Sequence, residues 1–300
     1  MDKIKKEPYK ELYGRQVMET LADTYRQLFV VPGPGGKEKY HEIVECGLDP
    51  QTRDLSHFIT SKEDSLTYEE TPAGSVTVIT LAKREDFVTF LRIMANRCED
   101  VDIPDTQGAS IIDGVINRRK IEHHKEEFLN GIGEQEDITQ AWNEEFKRFT
   151  SDRRNFKDAL IVLSVGPYSA IPSQKVGVSD DEWITLSGKI RKYHECTHFI
   201  CRNIYPEKKD AIWDELVADA VGIVAAFGRY DADMEKMFLG IEGRTYTGGR
   251  LENYTQVDTK LVEKIADILE QFAKITEKHG ETEPYELAIM LEEQKEFIWE

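Results

Sequence analysis

Cysteine is scarce in this chain: Cys46, Cys98, Cys196 and Cys201 are the only four in 300 residues, and their spacing forms no paired framework. That argues against a secreted disulfide scaffold and for a reducing, cytoplasmic setting. No apolar run approaches the roughly 20 residues needed to cross a bilayer. The opening Met1–Tyr9 is basic but has no apolar segment behind it, so it does not read as a signal peptide. Basic residues are outnumbered, 39 against 57 acidic ones, for a formal charge of −18. A surface that acidic repels phosphate backbones and anionic lipid, so neither nucleic acid nor a membrane is an expected partner. Internal repeats and low-complexity segments are missing too. What is present is 40% hydrophobic residues, enough for a substantial core in one large domain or two modest ones.

Apolar spacing predicts a helix over 9–30, stopped by Val31-Pro-Gly-Pro-Gly-Gly36. A strand is expected at Ser75–Leu81, rich in Val, Ile and Thr. Helices are expected at 87–97 and 111–129, with a polar loop or boundary at 131–137. The apolar run Ala159–Val165, ended by Gly166-Pro167, is the clearest strand signal. Two long helices should then dominate to Gly228, followed by helices at 261–274 and 284–297. His123 and His124 read as members of a solvated helix face, and His41 and His57 as residues of polar turns.

The chemistry concentrates in Tyr193-His-Glu-Cys-Thr-His-Phe199. Ser179-Asp-Asp-Glu182 is a capping box that starts a helix at Asp180, which Pro206 ends. A helix turns about 100° per residue, so His194 and His198 share one stripe with Trp183, Ile190, Thr197 and Cys201. A divalent metal fits between two such imidazoles. Glu195 projects from the edge of that stripe, within reach of a metal-activated water without being a ligand. The competing assignment for Glu195 is a surface ion pair with Arg191 or Arg202.

Two histidines need a third protein ligand and an open fourth position. The segment after Asp210, Ala211–Phe227, is apolar on almost every side and so reads as a buried helix. Within it Glu215 and Asp219 lie four apart on one face, and two unpaired carboxylates there would cost several kcal/mol. A dication and a histidine N–H are their natural partners. Glu215 is therefore assigned as third ligand and Asp219 as the acceptor that orients His194. Cys201 lies on the inner stripe but reads as a small buried residue, not a ligand.

The pair of patterns, His194-Glu195-Cys196-Thr197-His198 and Glu215-Leu216-Val217-Ala218-Asp219, resembles the gluzincin, thermolysin-like metallopeptidases over about 40 residues. The elements read along the chain predict an α+β, mainly helical protein with helices at 261–300, and the resemblance adds the expectation of a zincin-like core at 156–260 with a small sheet preceding the metal helix. An N-terminal, mainly helical region, 1–155, would pack on this core as part of one compact unit. The resemblance implies a zinc-dependent hydrolase of peptide or protein substrates, with Glu195 as general base and acid. Zincins align an extended peptide along an edge strand, for which Ser164–Ser169 is the candidate. Their oxyanion donor, a downstream histidine or tyrosine, has no counterpart by motif, since only His279 lies downstream. The glycine-rich stretch 243–254 offers Tyr246, Arg250 and Tyr254 for oxyanion or substrate contacts. Two alternatives stay open: a structural or regulatory zinc without turnover, and hydrolysis of a non-peptide amide.

Overall fold

A computed structural model describes residues 11–132, 137–207 and 210–299. It is mixed α/β, about 57% helical, with a small five-stranded sheet. The chain begins with β1 (Leu12–Tyr13) and α1 (Arg15–Thr24), a single 3-10 turn at Arg26–Phe29, and α2 (Gly36–Val44). Then come β2 (Ser65–Thr71), β3 (Gly74–Leu81), α3 (Arg84–Met94), β4 (Ala109–Ile116), α4 (Arg118–Asn130), α5 (Ile138–Thr150) and β5 (Lys157–Ser164). A short α6 (Ser173–Val176) leads into the long α7 (Asp180–Ile204) and α8 (Ala211–Phe227). After α9 (Ala232–Leu239), a two-stranded ribbon of β6 (Ile241–Glu242) and β7 (Thr245–Tyr246) precedes α10 (Thr259–His279) and α11 (Pro284–Ile298).

Strand order in the sheet is β1-β2-β3-β5-β4. β1 runs antiparallel to β2, with Leu12 opposite Leu66. The amide of Ser164 bonds Gly108 at one end of the β4–β5 pair and that of Asn117 bonds Phe156 at the other, so these strands are antiparallel as well. β5 therefore lies inside the sheet, flanked by β3 and β4; of the Ser164–Ser169 candidate for aligning a peptide only Ser164 belongs to the strand, and there it is not an edge.

Two further expectations change. The helix expected over 111–129 is a strand to Ile116 and a helix only from Arg118. Ile111-Ile112-Asp113-Gly114-Val115-Ile116 is a short apolar run whose period fits either element, and Gly114 sits at φ 79°, which no α-helix accommodates. The 9–30 helix is likewise divided, because Tyr25 leaves helical geometry at φ −116°, ψ 82°. Of the polar segment 131–137, residues 133–136 lie outside the described ones, as do residues 1–10.

The chain divides into two compact units. One comprises residues through Thr67, Ile79–Pro104 and Ile112–Val162. Its core includes Val17, Met18 and Leu21 of α1, and Phe87, Phe90 and Leu91 of α3. The other comprises Tyr68–Val78, Asp105–Ile111 and Leu163 onward. There α8 is the central element: Trp213, Leu216, Val217, Ala220 and Val221 pack with Ile265, Leu269 and Phe272 of α10 and Leu287 and Leu291 of α11. At roughly 1.5–3 kcal/mol per fully buried large apolar side chain, this cluster holds α8 rigidly against its neighbours. A second cluster joins Tyr168, Ile171, Trp183, Ile190, Ile223 and Phe238. Gly222 lets α8 approach α7 closely: a Cβ there would meet Ile190 Cγ2 at 2.9 Å and its carbonyl oxygen at 3.0 Å.

Candidate metal centre

Both metal-helix boundaries follow from local chemistry. Ser179 accepts from the Glu182 amide at the start of α7. Asp210 accepts from the amides of Ile212 and Trp213 at the start of α8, and Gly228 ends that helix in the left-handed region. Residues four apart on each helix then face the other helix across their contact.

His194, His198 and Glu215 come together there, with one ligand atom from each lying within 4.8 Å of the others. The two Nε2 atoms are 3.1 Å apart and the rings stand at 85° to one another. Glu215 Oε2 lies 3.3 Å from His194 Nε2, and Oε1 lies 3.3 Å from His198 Nε2. Glu215 Oε2 is buried and makes no hydrogen bond. Three lone-pair donors aimed at one point, one of them otherwise orphaned, fit a metal ion.

Asp219, with no exposed surface, places Oδ1 2.9 Å from His194 Nδ1. A carboxylate acceptor at Nδ1 fixes the ring proton there and leaves Nε2 for coordination. Tyr168 donates to the same Oδ1 at 2.7 Å, and its oxygen lies 3.1 Å from His194 Nδ1. Arg250 donates through Nη1 to the Tyr168 oxygen at 2.7 Å and through Nη2 to Asp219 Oδ2.

In the metal-free chain these charges shape the titrations. Burial disfavours a charged His194, but its hydrogen bond to Asp219 and the negative charges of Glu215 and Asp219 overcome it and raise the group from 6.5 to about 10. Burial also opposes ionisation of Glu215, and the adjacent imidazoles, His198 foremost, reverse that and hold it well below the usual carboxylate range. Asp219 is held down against its own burial chiefly by Arg250.

Glu195, the residue after His194, is 8% exposed, which does not fit a solvated ion-pair partner. Of the three residues expected to bend over the site, two arrive. Tyr254 lies against Glu215 and Arg250, and burial pushes its hydroxyl well above the ordinary range. Arg250 reaches the site but is committed to Tyr168 and Asp219. Tyr246 is placed elsewhere: it donates to the Gly249 carbonyl and accepts from the Gly249 amide, both at 2.8 Å. Cys201 stands apart from the ligands, 3.7 Å from Glu292, and all four cysteines are free.

Sequence reasoning missed Tyr168 and Glu235. Glu235 is fully buried on α9 beside Tyr230, and burial together with the charge of Asp219 pushes its carboxyl well above the usual range. Its place on the face shared with Phe238 and Leu239, three and four residues on, was the available signal. Tyr168 follows Gly166-Pro167 in a turn that carries no periodic signal.

The model of a family of unknown function, DUF7005, matches residues 8–296. The chain belongs to that family. No curated protein and no solved structure matches it. Family membership therefore leaves the activity to be argued from the site, and what the site supports directly is metal binding.

Proposed function

We propose that this chain is a zinc-dependent hydrolase acting on peptide bonds, with Glu195 as general base and acid. The observation that carries the reading is the convergence of His194, His198 and Glu215 on one point, with a buried Glu215 oxygen left without a partner. Two imidazoles and a carboxylate suit zinc better than calcium or magnesium, which favour all-oxygen ligand sets. When bound, zinc supplies Lewis-acid polarisation of a carbonyl and lowers the pKa of water toward about 7. The chain's own contribution begins with His194, whose Nδ1–H is tied to Asp219 so that Nε2 faces inward. Glu195, carried on the same rigid helix, takes a proton from the attacking water and returns it to the leaving amine. The likeness of both helices to the gluzincin pattern supports a peptide substrate and a zincin-like core, with β5 preceding the metal helix. Four free thiols suit a reducing cytoplasm. Among the described residues no helix is long and apolar enough to cross a membrane.

The test is direct. Purified protein should carry about one zinc per chain, and Glu195→Gln should keep that zinc while losing about 10²–10⁴-fold in hydrolysis of unstructured peptides. Unchanged hydrolysis in the variant rejects the assigned role. A zinc that holds the fold without turnover is the second reading, and the depth of the ligands favours it, with His194 and His198 only 6% and 8% exposed. Metal-edge X-ray absorption separates the two: a fourth ligand exchangeable for azide or a hydroxamate supports catalysis, whereas a protein side chain there supports a structural ion.

A further inference from the structure

The proton on His194 is held by more than Asp219. We propose that Tyr168 and Arg250 are positioning residues that lock Asp219, and through it the orientation of the metal ligand His194. This inference rests on the metal-site reading above but requires no catalytic turnover.

Three independent features of the fold converge on the lock. First, Tyr168 is delivered by a strained turn: Ser169 and Ala170, both non-glycine, follow it at φ 48° and 55°. Successive left-handed residues are unfavourable for any side chain bearing a Cβ and persist only where surrounding contacts impose them. Those contacts are present, because the Tyr168 amide donates to Ser187 Oγ at 2.9 Å and Trp183 Nε1 donates to the Ile171 carbonyl at 2.7 Å. Both partners lie on α7, so the turn is riveted to the helix that carries His194.

Second, Arg250 is aimed by backbone packing that only glycine permits. A Cβ on Gly249 would meet Gly240 Cα at 2.7 Å, and Tyr246 holds the Gly249 amide and carbonyl from one side. This gives Tyr246 a place in the scheme: it fixes the backbone from which Arg250 reaches, without touching the metal centre.

Third, the donors are matched to the acceptors. Arg250 gives one N–H to the Tyr168 oxygen and one to Asp219 Oδ2, while the Tyr168 hydroxyl goes to Asp219 Oδ1. Asp219 Oδ1 is left facing His194 Nδ1 at 2.9 Å. The planar guanidinium spans two acceptors at once, which an ammonium on a flexible stem does not do. Removing an outer partner of a metal-ligating histidine typically weakens metal binding about 10–100-fold.

The experiment uses the full chain, stripped with a chelator and titrated with Zn²⁺ and separately with Co²⁺. Tyr168→Phe and Arg250→Lys both conserve charge, so neither alters the electrostatic attraction for a cation. Each is expected to weaken Zn²⁺ binding about 10–100-fold and to change the visible absorption of the Co²⁺ form. In an Asp219→Asn background both substitutions should become silent, because they act through Asp219. Tight, unchanged metal binding in Tyr168→Phe, or undiminished effects in the Asp219→Asn background, overturns the lock while leaving the metal site standing. A wild-type chain that takes up no metal overturns both. Should the variants fail to fold, NMR of the wild-type, zinc-loaded protein decides: a slowly exchanging Nδ1–H on His194 is expected, and its absence rejects the proposal.

Discussion

Among the described residues, two clusters set histidine against a carboxylate carried on another helix, with opposite outcomes. His124 on α4 places Nε2 2.5 Å from Glu145 Oε1 on α5, stacks on Phe149 at 4.1 Å, and shares Glu145 with Arg148, which reaches both carboxylate oxygens at 2.6–2.7 Å. Every charge there has a partner, and its cation is 73% exposed. This corrects the assignment of His124 to a solvated face, because the ring is only 24% exposed. The pair His194–His198 instead turns both Nε2 atoms toward Glu215, with one buried oxygen unbonded. A satisfied cluster serves as a staple, whereas one left incomplete by the fold is a receptor for an ion. What distinguishes them is the stoichiometry of donors and acceptors at depth, not the residue types.

Exchanging single ligands should break the comparison most sharply. His198→Ala is expected to abolish stoichiometric zinc while His124→Ala leaves it intact, as read by elemental analysis of purified protein. Loss of metal from the His124 variant would mean that the two clusters had been assigned the wrong way round.

The next largest effect concerns pH. In the metal-free chain His194 is raised to about 10, so its protonated form stabilises the fold fully below its ordinary 6.5, and that contribution is lost as pH rises through about 10. Metal must displace this proton, so zinc affinity should rise about tenfold per pH unit, roughly 100-fold between pH 6 and 8, with proton release seen calorimetrically in buffers of differing ionisation enthalpy. A pH-independent affinity would place the bound ion elsewhere.

Spacing between helices comes third. Gly222→Ala should force α8 away from Ile190, costing about 1–3 kcal/mol in denaturant unfolding and loosening metal binding together with it. Metal affinity that survives this change intact would show that convergence does not depend on the helix contact.

The smallest effect is expected at the staple. Arg148, and after it His124, holds Glu145 down to about 2. Its stabilising contribution is therefore present above its ordinary 4.5 and is lost as pH falls toward about 2. Because Arg148 is mostly exposed, Glu145→Gln should cost under about 1 kcal/mol at pH 7 and less near pH 3, measured by urea unfolding at both values.

Much of the candidate centre was legible because helical spacing is a local property. His194 and His198 are four apart, as are Glu215 and Asp219, and the apolar sequence of α8 announces that the inward face carrying those carboxylates is covered. Arg250 was legible as a glycine-strap residue, though not its partners. Tyr168 lies 26 residues before His194 and 51 before Asp219, and no periodicity connects them. Sheet order was equally hidden: β5 is an apolar run from sequence, but its seat between β3 and β4 depends on strands distant in the chain. Residues 111–116 misled because six apolar-rich positions fit two periods, and only pairing with β5 selects the strand.

The sequence alone settled that the two long helices α7 and α8 form, which of their faces are apolar, and that two imidazoles and two carboxylates lie on those faces, since these follow from a 3.6-residue repeat and from capping residues nearby in the chain. The tertiary structure alone decided that the faces meet at a glycine, that Tyr168 and Arg250 close around Asp219, and that one Glu215 oxygen is left bare. Those outcomes depend on how closely distant segments can approach, a matter of packed volume and matched donors that no local pattern encodes.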